Sequence, residues 1–115
     1  MSINKNLITG STAMLILKLL DGEDMYGYQM IETLAKRSDD TFSLKAGTLY
    51  PLLHDLEAKE MVSSYEKDAD TGRLRKYYSI TKKGKGVLIE KENEWKTYAN
   101  AISQILGGGE SYATF

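Results

Sequence analysis

The stretch Met61–Thr81, MVSSYEKDADTGRLRKYYSIT, decides how the rest of the chain is read. Two runs rich in Val, Tyr, Ser, Thr and Ile flank the polar DADTG. Such residues suit a pleated, half-buried surface. A short Gly-containing connection between two such runs signals a β-hairpin, with its loop near Asp70–Gly72. Side-chain alternation puts Arg73 and Arg75 on one face of the second strand. Charged residues on a hairpin also resist edge-to-edge pairing. Here Arg73, Arg75 and Lys76 share one sign, and Gly72 lets the tip approach another surface. The pattern favours contact with phosphate or a minor groove. Tyr77 and Tyr78 are expected to pack the hairpin onto the body.

Immediately upstream lies AGTLYPLLHDL, residues 46–56, with the single proline of the chain. Leu49, Leu52, Leu53 and Leu56 recur at i, i+3, i+4 and i+7, one face of a helix. Proline costs little in a first turn, whose N–H groups have no intrahelical partner. If Thr48 is the N-cap, Pro51 sits in that turn. If the helix starts at Ala46, Pro51 removes one hydrogen bond and the first turn should be distorted. The late start is the expectation, with Thr48 and Tyr50 at an exposed N-terminal end. With the leucines inward, Pro51, His54, Asp55 and Ala58 point away, and Lys45 precedes the face. Thr48, Tyr50 and His54 can donate to phosphates or bases. Asp55 opposes an anion, and a solvated helix face is the alternative.

Further upstream, LITGSTAMLILKLL (residues 7–20) reads as a buried helix ended by DGED, with Gly22 as its cap. MYGYQMIETLAKRS (residues 25–38) places Met30, Ile31 and Leu34 on one face. Lys36 and Arg37 stand in its last turn, where the dipole favours cations. Tyr26 at its start can grip a phosphate through its hydroxyl beside free N–H groups. Packing is the alternative for Tyr26 and the preferred reading for Tyr28.

Downstream, Thr81 is an expected N-cap for a helix from Lys82 to Leu106 that ends at Gly107–Gly109. Lys82, Lys83 and Lys85 oppose the dipole in its first turn, which hints at an external anion. Leu88, Trp95 and Ile102 recur every seven residues, with Tyr98 and Ile105 between them, as a partial heptad seam. At about 1.5 Å per residue the helix is about 37 Å long, too long for one small domain to cover. Leu88, Trp95, Tyr98, Ile102 and Ile105 are therefore the expected dimer contacts. Ala13, Ile16 and Leu17 of the first segment, with Trp95, Tyr98 and Ile102, are the expected lining of any ligand space.

The order α-α-α-β-β-α is that of a winged helix-turn-helix. The fold class is therefore mainly α with a two-stranded β wing, followed by a long C-terminal dimerisation helix. Residues 1–80 form the DNA-binding unit, 81–107 the dimerisation helix, and 108–115 a flexible tail.

Four motifs in order, MYGYQMIETL, GTLYPLLHDLE, GRLRKYYSITKKG and the helix around EWKTYANAI, resemble the PadR family of bacterial transcriptional regulators. The resemblance spans about Leu7 to Leu106, and the short C-terminus is similar to the smaller members. It implies a homodimer, usually a repressor of a neighbouring gene, on AT-rich inverted repeats of double-stranded DNA. The smaller members include multidrug sensors in which planar apolar ligands enter a pore at the dimer centre and stack on a tryptophan. Trp95 occupies the matching position. Glu92 stands where those sensors have an aromatic pore residue, and Ala99 where they have an acidic one.

Composition bounds the alternatives. The chain has 115 residues, 42% of them hydrophobic and 27% charged, a single-domain globular profile. With no cysteine and one histidine, disulfides, thiolate chemistry and a Ser/His/Asp triad have no basis. No metal spacing or phosphate-binding Gly loop is present, so neither an enzyme nor a cofactor is expected. No apolar run is long enough for a membrane span, and the N-terminus lacks signal-peptide features. A cytoplasmic protein is expected. Net charge is −1, yet residues 71–86 hold six basic side chains and no acidic one, a local patch able to attract phosphate. The competing reading, an adaptor for other proteins on a winged-helix scaffold, rests on the acidic total and Asp55.

Overall fold

Residues 5–107 are described in the computed structural model of the chain. They form α1 (Lys5–Gly22), β1 (Met25–Tyr26), α2 (Gly27–Arg37), α3 (Ala46–Ala58), β2 (Val62–Asp68), β3 (Leu74–Ile80) and α4 (Lys82–Leu106). The leucine-rich faces of the first three helices meet in one core. Ile16, Leu17, Met30, Leu49 and Leu53 are fully buried there, and the sheet adds Val62 and Tyr78 from above. This is the helix-turn-helix and hairpin arrangement expected from the order of elements.

The sheet has three strands rather than two, in the antiparallel order β1-β3-β2. Met25 pairs with Tyr78 and Tyr26 with Tyr77. A strand of two residues carries no alternation of its own, and only its pairing with β3 makes it one. Its inward residue, Met25, is buried against the core. The hairpin loop falls where expected. Gly72, at φ 80°, takes the left-handed conformation that a Cβ disfavours.

The early start holds for α3. Lys45, not Thr48, is the N-cap. Its carbonyl accepts from both Thr48 N at 2.9 Å and Leu49 N at 3.0 Å. An i→i+3 bond thus tightens the first turn beside the regular i→i+4 one. Pro51 lies inside the helix and offers no N–H to the carbonyl of Gly47. Gly47 is exposed, so water can take that acceptor, which explains why the site tolerates proline.

The joint between hairpin and last helix is built on Thr81 and Gly84. Thr81 Oγ1 accepts from Gly84 N at 3.0 Å, the expected N-cap, and donates back to the Glu60 carbonyl at 2.7 Å. Gly84 lies against the Met61 carbonyl so closely that a Cβ would collide with it. Gly107 ends α4 in the left-handed conformation, φ 77°. The expected cap Gly22 is instead the last residue of α1.

α4 packs on α1, where Lys18 Nζ lies 3.6 Å from Glu92 Oε1. Leu88 is buried in the core. So are Ile16 and Leu17, at 0% exposure. These three side chains, expected in the dimer seam (Leu88) and the ligand lining (Ile16, Leu17), pack within the single chain. The C-terminal half of α4 is different: Tyr98, Ile102, Ile105 and Leu106 remain exposed. The proposed tail lies outside the described residues.

Candidate nucleic-acid interface

The outward face of α3 is presented by the burial of the inward one. Leu49, Leu53 and Leu56 point into the core, which leaves Lys45, Thr48, Tyr50, Pro51 and His54 exposed. Asp55 shares that face, but Lys59 Nζ lies 2.9 Å from its carboxylate one turn on. Its repulsion of an anion is thereby reduced, although the pair is solvent-screened. The ring of Tyr50 lies over Gly27 at the start of α2. A Cβ on Gly27 would stand 2.7 Å from Tyr50 Cζ.

The hairpin tip is ordered by two backbone bonds, Ala69 N to Arg73 O at 2.7 Å and Gly72 N to Ala69 O at 2.9 Å. Arg73 and Arg75 are exposed. Arg75 does not extend freely. Its guanidinium carbon lies 4.3 Å from the centroid of the Tyr26 ring. Lys76 emerges on the opposite sheet face, 4.0 Å from a Glu57 oxygen of α3 and 5.5 Å from the Tyr78 ring centroid. Its charge is therefore directed back toward the body. Lys82, Lys83 and Lys85 are exposed in the first turn of α4.

The tyrosines divide by register. Tyr78 is buried under the sheet and packs the hairpin on the body. Tyr77, its neighbour, faces outward in a row with Tyr26 and Tyr65. Tyr26 meets Tyr77 edge-on at 5.4 Å, and Tyr65 stacks on Tyr77 at 5.8 Å and 14°. Tyr65 Oη donates to Asp24 Oδ2 at 2.7 Å. That bond to a carboxylate holds the Tyr65 phenol above its usual 10.0. Because the folded value is raised, the contact is fully present below pH 10 and is lost only as pH climbs through the higher folded value. Tyr26 is also the N-cap of α2, yet its side chain makes no capping bond.

On α4, Trp95 is half-buried, Tyr98 is 61% exposed and Ile105 is 86% exposed. With Ile102 they keep to one side of the helix, next to the strip that packs on α1. Ala13, from α1, is half-buried.

A family model described as that of PadR-like transcriptional regulators matches residues 16–90. The chain belongs to that family. A PadR-like transcriptional regulator of Bacillus cereus has the same fold, with TM-score 0.80 and 30% identity over 92% of this chain and 100% of that one. A transcriptional regulator of Clostridium thermocellum gives TM-score 0.80 and 30% identity over 87% of this chain and 97% of that one. An uncharacterised protein of Lysinibacillus sphaericus is 34% identical over 94% of this chain and 99% of its own length. Membership carries DNA-binding regulation as the general activity, performed by a fold that is mainly α with a β wing.

The PadR-like match runs from residue 16 to residue 90, so it takes in the winged helix from the last part of α1 onward and only the first third of α4. Among the described residues no helix is long and apolar enough to cross a membrane. Nor does any group of three or more His, Asp or Glu side chains gather that could hold a metal ion. One cation of the hairpin escaped the sequence reading. Lys67 is the cross-strand neighbour of Arg75 and lies on the same face, 5.4 Å from the Tyr77 ring centroid. In EKDAD it is surrounded by acidic residues along the chain. Alternation across the pleat was the available signal.

Proposed function

We propose that this PadR-like regulator acts as a cytoplasmic homodimeric repressor on an inverted repeat, with α3 in the major groove and the hairpin on the backbone. The observation that carries the reading is the exposed, cation-led face of α3 next to a hairpin whose tip carries Arg73 and Arg75. Phosphate contacts from Lys45, Arg73, Arg75 and Lys82 supply affinity. Thr48, Tyr50 and His54 are the candidates for base edges, with Pro51 beside them. Lys76, drawn toward Glu57, contributes less than its position in the sequence suggests.

Dimerisation is supported by the uncovered apolar strip Tyr98, Ile102 and Ile105 with half-buried Trp95. Two-fold symmetry then places half-sites about one helical turn apart. A small planar aromatic ligand bound between two copies at Trp95, Tyr98 and Ile102, beside Ala13, alters how the α4 helices meet. It thereby changes the spacing of the two α3 helices, a coupling between two sites. The adaptor reading loses support, since Asp55 is paired with Lys59. Footprinting on the DNA upstream of the protein's own gene tests the proposal. Two symmetric protected half-sites are expected; no protected region contradicts it.

A further inference from the structure

The hairpin sorts its charges by face. Lys67 and Arg75 are cross-strand neighbours, and Tyr65 and Tyr77 form the pair two residues away on the same outer face. Alternation sends Glu66, Asp68 and Lys76 to the other side. The acidic run that masks Lys67 in the sequence is thus absent from the surface Lys67 occupies. The nearby Asp24 carboxylate accepts the Tyr65 hydroxyl at 2.7 Å.

Both outer cations rest on rings, Arg75 at 4.3 Å from Tyr26 and Lys67 at 5.4 Å from Tyr77. Among the described residues neither takes part in an ion pair. A ring face restrains a cation without neutralising it. Such a side chain keeps its charge for an external anion and loses less rotamer freedom on binding it. The row ends at Tyr26, the N-cap of α2, where the first-turn N–H groups receive no side-chain cap. The charged face is therefore continuous with a second feature that favours anions.

We propose that the outer face of the sheet is a phosphate-contacting surface for duplex DNA, with Lys67 and Arg75 as the contacting cations and Tyr26 and Tyr77 as positioning residues that hold them. The proposal rests on the DNA-binding reading above. It extends the interface beyond the hairpin tip and gives Tyr26 a task carried by its ring rather than its hydroxyl.

The test is fluorescence anisotropy of the full chain on a duplex from its own upstream region, over a series of salt concentrations. Lys67→Ala should lower the salt slope by about one unit, one phosphate contact. Tyr26→Phe keeps the ring and should bind within about two-fold of wild type, whereas Tyr26→Leu should weaken binding about five-fold or more. In an Arg75→Ala background the Tyr26→Leu loss should nearly vanish, a coupling that a merely structural role would not produce. Lys67→Ala and Tyr26→Phe are mild surface changes and keep the test decisive if Tyr26→Leu fails to fold. An unchanged slope in Lys67→Ala, or equal losses in Tyr26→Phe and Tyr26→Leu, overturns the surface while a steep wild-type slope leaves the regulator reading intact. A flat wild-type slope overturns both.

Discussion

Tyr50 of α3 fills the space that a side chain on Gly27 of α2 would occupy, with Cε1 3.0 Å from the position of the missing Cβ. The first turns of the two helices are thereby set against each other through one ring. Gly27→Ala displaces that ring. Tyr50 is 41% exposed, so it can swing outward, and stability should change by no more than about 1 kcal/mol. DNA affinity should fall, and Gly27→Ala should add little to Tyr50→Ala. Thermal melts and anisotropy titrations on the two single variants and the double variant check this.

Gly84 has no such escape, because its neighbour is the Met61 backbone carbonyl. Gly84→Ala should destabilise by about 1–3 kcal/mol, the usual range for overpacking. Thr81→Ala removes the cap on Gly84 N and the bond to the Glu60 carbonyl, and should cost about 1 kcal/mol. Urea unfolding of both variants measures the difference.

Much of this was legible in the residue order. The leucine face of α3, the hairpin loop at Asp70–Gly72, the Thr81 cap and the span of α4 each carry a local signal: a period, a turn residue or a capping side chain. What was hidden depends on contacts distant in sequence. Met25 and Tyr26 are too few to alternate and become a strand only beside Tyr77 and Tyr78. The start of α3 at Ala46 depends on whether Gly47 can leave its carbonyl to water, which no pattern records. Leu88 fits the heptad yet is buried in the core of the single chain, because seven-residue spacing does not say which neighbour a helix meets. Lys67 lies in an acidic run that only the pleat separates. Along the chain Lys76 looks like Arg75, but alternation places it on the side of Glu57.

The apolar strip on α4 makes a prediction about assembly. Ile105 is exposed in the single chain, so Ile105→Asp should leave the protomer folded. It should also weaken self-association, since a buried unpaired charge at an interface is strongly disfavoured. Sedimentation velocity should show a dimer for the wild type and a shift toward monomer for the variant, with equal helix content by circular dichroism.

Trp95 reports on any ligand space between copies. Trp95 is the only tryptophan of the chain, so the expected quenching of tryptophan fluorescence by planar aromatic cations reads contact with its ring directly. No quenching across several such dyes would assign Trp95 to packing alone.

At the hairpin tip, Arg73→Ala should weaken binding on all sequences alike and reduce the salt slope by about one unit. A loss confined to one operator sequence would instead mark a base contact.

The most direct test of the central claim is the salt dependence of wild-type binding to duplex from the protein's own upstream region. Several phosphate contacts per half-site predict an apparent association constant that falls steeply and linearly on a double-logarithmic plot, with a slope of about 0.9 per contact. An affinity that barely moves with salt, or no binding to that DNA, would contradict it.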